Sequence, residues 1–258
     1  MKIGIFDSGI GGLNILSKML VYYPTNEYIY YADNKNMPYG NKNPTFLRTE
    51  ITKIMDYFLL NNVDVVIIAC NTASTLFGNY IKSKYPFKLY LVKPNIEKAL
   101  RYDRFTLLAT NNTTKYIYKN IKTIASNCNI SIQELNKRMQ FAPSTLLAYL
   151  TETNAPNFYI NYSYVRDVLK NAPKEYPIIL GCTHYTYYNK YIKSLGYDTI
   201  SEIDYFDNIL TKKLSTSREI SNFKYDKIEK PNNFCNLRLN FTGKQNTSRY
   251  LDIIQCLL

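Results

Sequence analysis

The sequence predicts an α/β protein made of two related halves, each with parallel strands. The first observation is rhythm. Short apolar runs end in small or polar residues and lead into helix-compatible segments, the pattern of strands covered on both faces by crossover helices. The second is an internal echo: VVIIACNTAS (65–74) and YPIILGCTHY (176–185) each set a cysteine directly after a buried strand and a small residue. A weaker echo pairs KIGIFDSG (2–9) with RFTLLATNN (104–112), again a strand ending in a polar turn. Ligands of open α/β sheets bind at the carboxyl ends of the strands, so two such ends face to face would bracket a small molecule from both sides.

In chain order, the apolar run 2–6 stops at Asp7, and the glycines behind it open a helix over 12–22. A strand over 27–32 ends before Asp33, and a helix over 44–61 leads to the strand 63–69, where apolar side chains run unbroken. A helix over 75–84 and a strand over 89–92 complete the first half, and a short helix over 96–100 opens the second. The second half repeats the alternation, with strands at 106–109, 177–180 and 199–201 and helices at 114–125, 145–149, 163–170 and 188–195.

Composition narrows the function. The chain has 258 residues, 46% hydrophobic and 20% charged, enough for a large core and without a disordered or fibrous bias. No apolar run approaches the roughly 20 residues that span a bilayer. MKIGIFDSG lacks the zones of a signal peptide, so a cytoplasmic location is expected. Five cysteines (Cys70, Cys128, Cys182, Cys235, Cys256) at wide, irregular spacings read as reduced thiols rather than a disulfide framework. The formal charge of +12 is spread along the chain and reads as a solvated basic surface, not a nucleic-acid face.

DSGIGGL (7–13) joins the first strand to the first helix, and its backbone N–H groups suit a carboxylate or a phosphate. The dinucleotide pattern fails at Asn14, although Asp33 mimics the ribose-binding acid. Cys70 and Cys182 stand at strand ends ahead of helices, where a helix N-terminus or a cation lowers a thiol pKa. His184, the sole histidine, lies two residues after Cys182 and could hold or relay a proton. Zinc would accept Cys70, Cys182 and His184 as ligands, but no C-x-x-C or H-x-x-x-H spacing accompanies them.

Taken together, DSGIGGL (7–13), MPYG (37–40), ACNTAS (69–74) and GCTHY (181–185) resemble the aspartate/glutamate racemase superfamily, glutamate racemases in particular. LLATNNT (107–113) and FTGK (241–244) look like further members of the series. The resemblance implies two pseudosymmetric parallel-sheet domains with the active site in the cleft between them. It divides the chain into 1–95 with the returning 207–258, and 96–206. It implies Cys70 as the base for the D-isomer and Cys182 as the base for the L-isomer, with Asp7 near the first thiol and His184 near the second. Ser8, Pro38, Tyr39, Gly40, Asn71, Thr72, Thr113 and Thr183 match positions that hold the substrate. It further implies glutamate racemisation without a cofactor, supply of D-glutamate for peptidoglycan, and a homodimer.

Two thiols answer a chemical need. Inverting a stereocentre requires a base on one face of the carbon and an acid on the other, with donors aimed at the charge that develops between them. Three departures from the pattern stand out. FAPSTLLAYLTE (141–152) offers only Glu152, displaced, where an acid is common; Thr-Tyr-Tyr follows GCTHY; and FTGK carries a lysine. An aspartate or other amino-acid racemase, or a silent basic binding protein, are the competing readings.

Overall fold

The computed structural model describes residues 1–201, 236–244 and 247–258. β1 (Lys2–Asp7) lies at the centre of a five-stranded sheet, flanked by β2 (Glu27–Ala32) and β3 (Val65–Ile68). β4 (Lys88–Leu91) pairs outside β3, and the returning β9 (Leu237–Phe241) pairs outside β2. The second sheet has the order β6-β5-β7-β8, with β5 (Phe105–Ala109), β6 (Met139–Pro143), β7 (Ile178–Gly181) and β8 (Thr199–Ser201). Among the described residues all pairings are parallel. Matching β1 to β5 brings β2 onto β6, β3 onto β7 and β4 onto β8. The two halves are pseudosymmetric, and the two cysteines follow corresponding strands.

Strand side chains alternate between faces, and each face of the first sheet has its own core. Ile3, Ile5, Val65 and Ile67 pack with Leu16 and Met19 of α1 (Leu13–Tyr22) and with Ile253 and Ile254 of the C-terminal helix. Phe6, Val66 and Ile68 pack with Ile51, Met55 and Phe58 of α2 (Pro44–Leu60) and with Phe77 of α3 (Asn71–Lys84). The Asn43 side chain caps α2 by accepting the Thr45 N–H at 2.8 Å, worth about 1 kcal/mol. α4 (Ile96–Ala99) leads into the second half.

There Leu107, Ala109 and Ile179 face α5 (Asn111–Lys119), α6 (Ile121–Asn127) and α7 (Ile132–Arg138). Leu108, Ile178 and Leu180 face α8 (Thr145–Asn154), α9 (Tyr162–Leu169) and α10 (Asn189–Ser194). The last helix is α11 (Thr247–Leu257).

Several elements differ from expectation. The helix expected over 114–125 is two helices, because Asn120 leaves the helical range at φ −106°. The helix expected from 75 begins at Asn71, directly after Cys70, and that expected over 145–149 runs on to Asn154. β6, β9, α7 and α11 escaped the sequence reading. The two strands are edge strands with half-exposed side chains, so neither shows a continuous apolar run. Cys235 and the segment 207–235 lie outside the described residues. Among the described residues, no helix is long and apolar enough to cross a membrane.

Candidate active site

The turns after β1, β3, β5 and β7 meet where the carboxyl ends of the two sheets face each other. Hydrogen bonds cross between them. The Thr183 hydroxyl donates to Asp7 Oδ2 at 2.9 Å, and the Ile10 N–H donates to Glu152 Oε2 at 2.8 Å. The Thr72 hydroxyl lies 2.9 Å from that of Thr110 and 3.3 Å from that of Thr113. Asn112 Nδ2 donates to the Tyr39 carbonyl at 2.8 Å.

Close approach needs small residues. A Cβ on Gly11 would collide with Thr183 Oγ1 and would stand 2.7 Å from His184 Nδ1. On the other side of the site, a Cβ on Gly40 would lie 2.6 Å from Thr110 Cβ. Real Cβ atoms do not pack this tightly, so both glycines set how near the two halves can come.

Cys70 is 5% exposed, between β3 and α3. Its thiol points to Ser8 Oγ at 3.7 Å. Burial, and then the charge of Asp7, push this thiol well above the ordinary range, against the Ala73 N–H and Ser8. This corrects the expectation that a helix N-terminus prepares Cys70 as a thiolate: desolvation outweighs the helix. Asp7 is fully buried. Burial raises its carboxyl to about 6, opposed by the charge of His184 and by bonds from the Gly9 N–H and Thr183.

Cys182 is 7% exposed, at the tip of β7. Its sulfur is 3.8 Å from His184 Nδ1, and His184 Nε2 is 3.0 Å from Glu152 Oε2. Burial alone would pull the imidazole down, but the hydrogen bonds it donates to Cys182 and Glu152 win, and His184 is held well above its usual value. Glu152, displaced in sequence, is therefore brought onto the only histidine by α8.

The substrate-binding candidates divide. Ser8, Thr72, Thr113 and Thr183 are buried around the two thiols, with Thr110, which sequence reading passed over, joined to Thr113 at 3.1 Å. The echo of β1 in β5 was the signal for Thr110, since it follows β5 where Ser8 follows β1 in the first half. Asn71 donates from Nδ2 to the Val92 carbonyl at 3.1 Å. The Tyr39 hydroxyl is bound to Asp33, which leaves its backbone and ring at the site beside Gly40 and the partly exposed Pro38.

The structure agrees with the failed dinucleotide pattern, and it decides what the glycine turn holds. Its amides do receive a carboxylate, but the protein's own: Gly9 N–H goes to Asp7 and Ile10 N–H to Glu152. Asp33 is not a ribose acid, because Tyr39, Thr242 and Asn36 occupy its oxygens. Among the described residues, no group of three or more His, Cys, Asp or Glu side chains is placed to hold a metal ion.

No protein-family model matches the chain. It is similar to the glutamate racemase of Fusobacterium nucleatum, 33% identical over 190 residues, covering 71% of this chain and 69% of that protein. It is 32% identical over 215 residues to the glutamate racemase of Buchnera aphidicola from Acyrthosiphon pisum, covering 80% of this chain and 78% of the relative. Its fold matches the Escherichia coli glutamate racemase crystallised with L-glutamate and the activator UDP-MurNAc-ala, with a TM-score of 0.77 at 22% identity, covering 99% and 94% of the two chains. With this degree of identity over most of its length, the chain belongs to the glutamate racemase family and is an amino-acid racemase.

Proposed function

We propose that this enzyme interconverts L- and D-glutamate without a cofactor, by passing the α-proton between Cys182 and Cys70. The observation that carries the reading is the pair itself: two buried sulfurs at corresponding strand tips, facing one cleft, each with a different proton partner.

In the L-to-D direction the Cys182 thiolate takes the α-proton, and the C–H electron pair stays on carbon. The Cys70 thiol then delivers its proton to the opposite face, leaving a Cys182 thiol and a Cys70 thiolate. The D-to-L direction reverses both steps. A cation beside a sulfur stabilises its thiolate, which is the part of His184, held by Glu152. Burial and the charge of Asp7 favour the protonated form of Cys70, the form needed when the L-isomer reacts. Ser8, Asn71, Thr72, Thr113, Thr183 and the Pro38-Tyr39-Gly40 turn hold the carboxylates and amino group and stabilise the developing carbanion.

Glutamate is supported by the names of the relatives and by the ligand of the Escherichia coli structure. The activator of that protein supports a place in supplying D-glutamate for peptidoglycan. The same proposal takes 1–95 with 207–258 as one domain and 96–206 as the other, in a cytoplasmic homodimer. Incubation with L-glutamate in heavy water tests the reading. D-glutamate carrying α-deuterium is expected, with activity that survives EDTA. Folded protein that leaves glutamate untouched but racemises aspartate in a chiral panel would move the substrate assignment.

A further inference from the structure

The returning C-terminal helix reaches across to the second half. Arg249 donates to the carbonyls of Glu152 and, at 3.2 Å, Ala155, at the C-terminal end of α8, where a cation suits the helix dipole. Tyr250, 1% exposed, places its hydroxyl 3.3 Å from Glu152 Oε1. Its ring packs edge-on against Phe241 and Tyr30, with centroids 4.8 and 6.2 Å away. The other carboxylate oxygen, Oε2, receives the Ile10 N–H and faces His184. We propose that Tyr250 is a positioning residue for the Cys182 half of the reaction, orienting the Glu152 carboxylate that holds His184 against the Cys182 sulfur.

The carboxylate is gripped at both ends, so its plane is set by groups from three directions. Ile10 comes from the first-half turn, His184 from the turn after β7, and Tyr250 from α11. Asp7, Tyr30, Tyr187, Arg249 and His184 are the charged or titratable groups around it. Burial holds the Tyr250 phenol in its neutral form, so it acts as a donor and not as a charge. Removing that donor frees the carboxylate to turn and weakens its bond to the imidazole. The partners of Cys70 are Ser8, the Ala73 N–H and Asp7, so the effect falls on one sulfur.

The inference rests on the two-thiol reading, and the test separates the two. Tyr250→Phe keeps the ring and removes the donor. Both directions share one equilibrium constant, so kcat/KM should fall equally in each, by about tenfold for a lost hydrogen bond to a charged group. Isotope effects reveal which transfer has slowed. The effect with α-deuterated L-glutamate should rise, and that with α-deuterated D-glutamate should fall toward one. The single histidine also gives an unambiguous NMR signal in untagged protein, and its titration midpoint should drop by about one pH unit. Tyr250→Met, which fills the space without a donor, should move all three readouts the same way, and covers the case in which Tyr250→Phe does not fold. In a Glu152→Gln background, either change should add nothing further. Unchanged isotope effects and an unmoved histidine titration in a folded variant would overturn the inference, even if the rate fell. A Cys182→Ser enzyme that racemised glutamate at the wild-type rate would instead overturn the two-thiol reading beneath it.

Discussion

Cys70 and Cys182 close corresponding strands, yet the group nearest each sulfur differs in kind, a hydroxyl and a carboxyl at Cys70 and an imidazole at Cys182. The turn after β3 meets Asp7 and Ser8 and runs straight into the 14-residue α3. The turn after β7 meets His184 and Glu152 and continues as a 3-10 helix, Thr183–Tyr188, before α10. An acid beside one sulfur and an imidazole beside the other favour opposite protonation states, as a reaction that adds a proton to one face and removes it from the other requires. Repetition of the fold explains the paired positions of the sulfurs. The residues around each turn explain why they differ.

The largest expected effect comes from making the two turns unequal outright. Cys70→Ser and Cys182→Ser should each lower racemisation in both directions by about 10²- to 10⁴-fold, since a hydroxyl is a far weaker acid than a thiol. They should differ in the half-reaction that survives: with Cys182 intact, only the α-proton of L-glutamate should exchange, and with Cys70 intact only that of the D-isomer. Exchange by NMR in heavy water, with circular dichroism as the folding control, reads this. Equal exchange of both isomers in either variant contradicts the assignment.

Next in size is the imidazole. His184→Gln removes a charge-assisted contact worth about 1.5–3 kcal/mol, so kcat/KM should drop roughly 10- to 150-fold. Steady-state assays on both isomers test it, and a loss under twofold would make His184 a packing residue.

Asp7 sharpens the comparison through pH. Its folded-state pKa of about 6 lies above the unfolded 3.8, so between those values the native state holds the extra proton. Stability should fall as pH rises from about 4 to about 6 and level off above, with a total cost of about 3 kcal/mol relative to Asp7→Asn. Urea unfolding of both proteins across that range measures the difference. Parallel curves would show that Asp7 titrates normally.

Gly11→Ala asks how closely the halves must meet. The added methyl must displace Thr183 and His184, and overpacking of this kind costs about 1–3 kcal/mol. Thermal melts and KM together should show lower stability and weaker substrate binding. An unchanged Tm and KM would mean the halves do not need this approach. The smallest change in shape is Thr183→Val, which removes one bond across the cleft to a buried carboxylate and should cost about 1.5–3 kcal/mol, read from the same melts. A loss above 3 kcal/mol would point to a larger role in holding the cleft.

The alternation of strands and helices, the two cysteine-bearing turns and the small residues between them were legible because they are local. Each needs only a few neighbouring residues: an apolar run for a strand, a glycine for a turn, a sulfur at the tip. Edge strands β6 and β9 were not legible, because half-exposed strands lose the unbroken apolar pattern. Tertiary packing alone decided that the glycine turn would receive Glu152, that Asp33 would be spent on Tyr39 and Thr242, and that burial would override the helix N-terminus at Cys70. The same holds for the contacts that distinguish the second sulfur. His184 meets Glu152 across 32 positions of sequence and Glu152 meets Tyr250 across 98. No short-range preference couples residues so far apart; they meet because the two sheets point the same strand ends at each other and the C-terminal helix packs back onto the first.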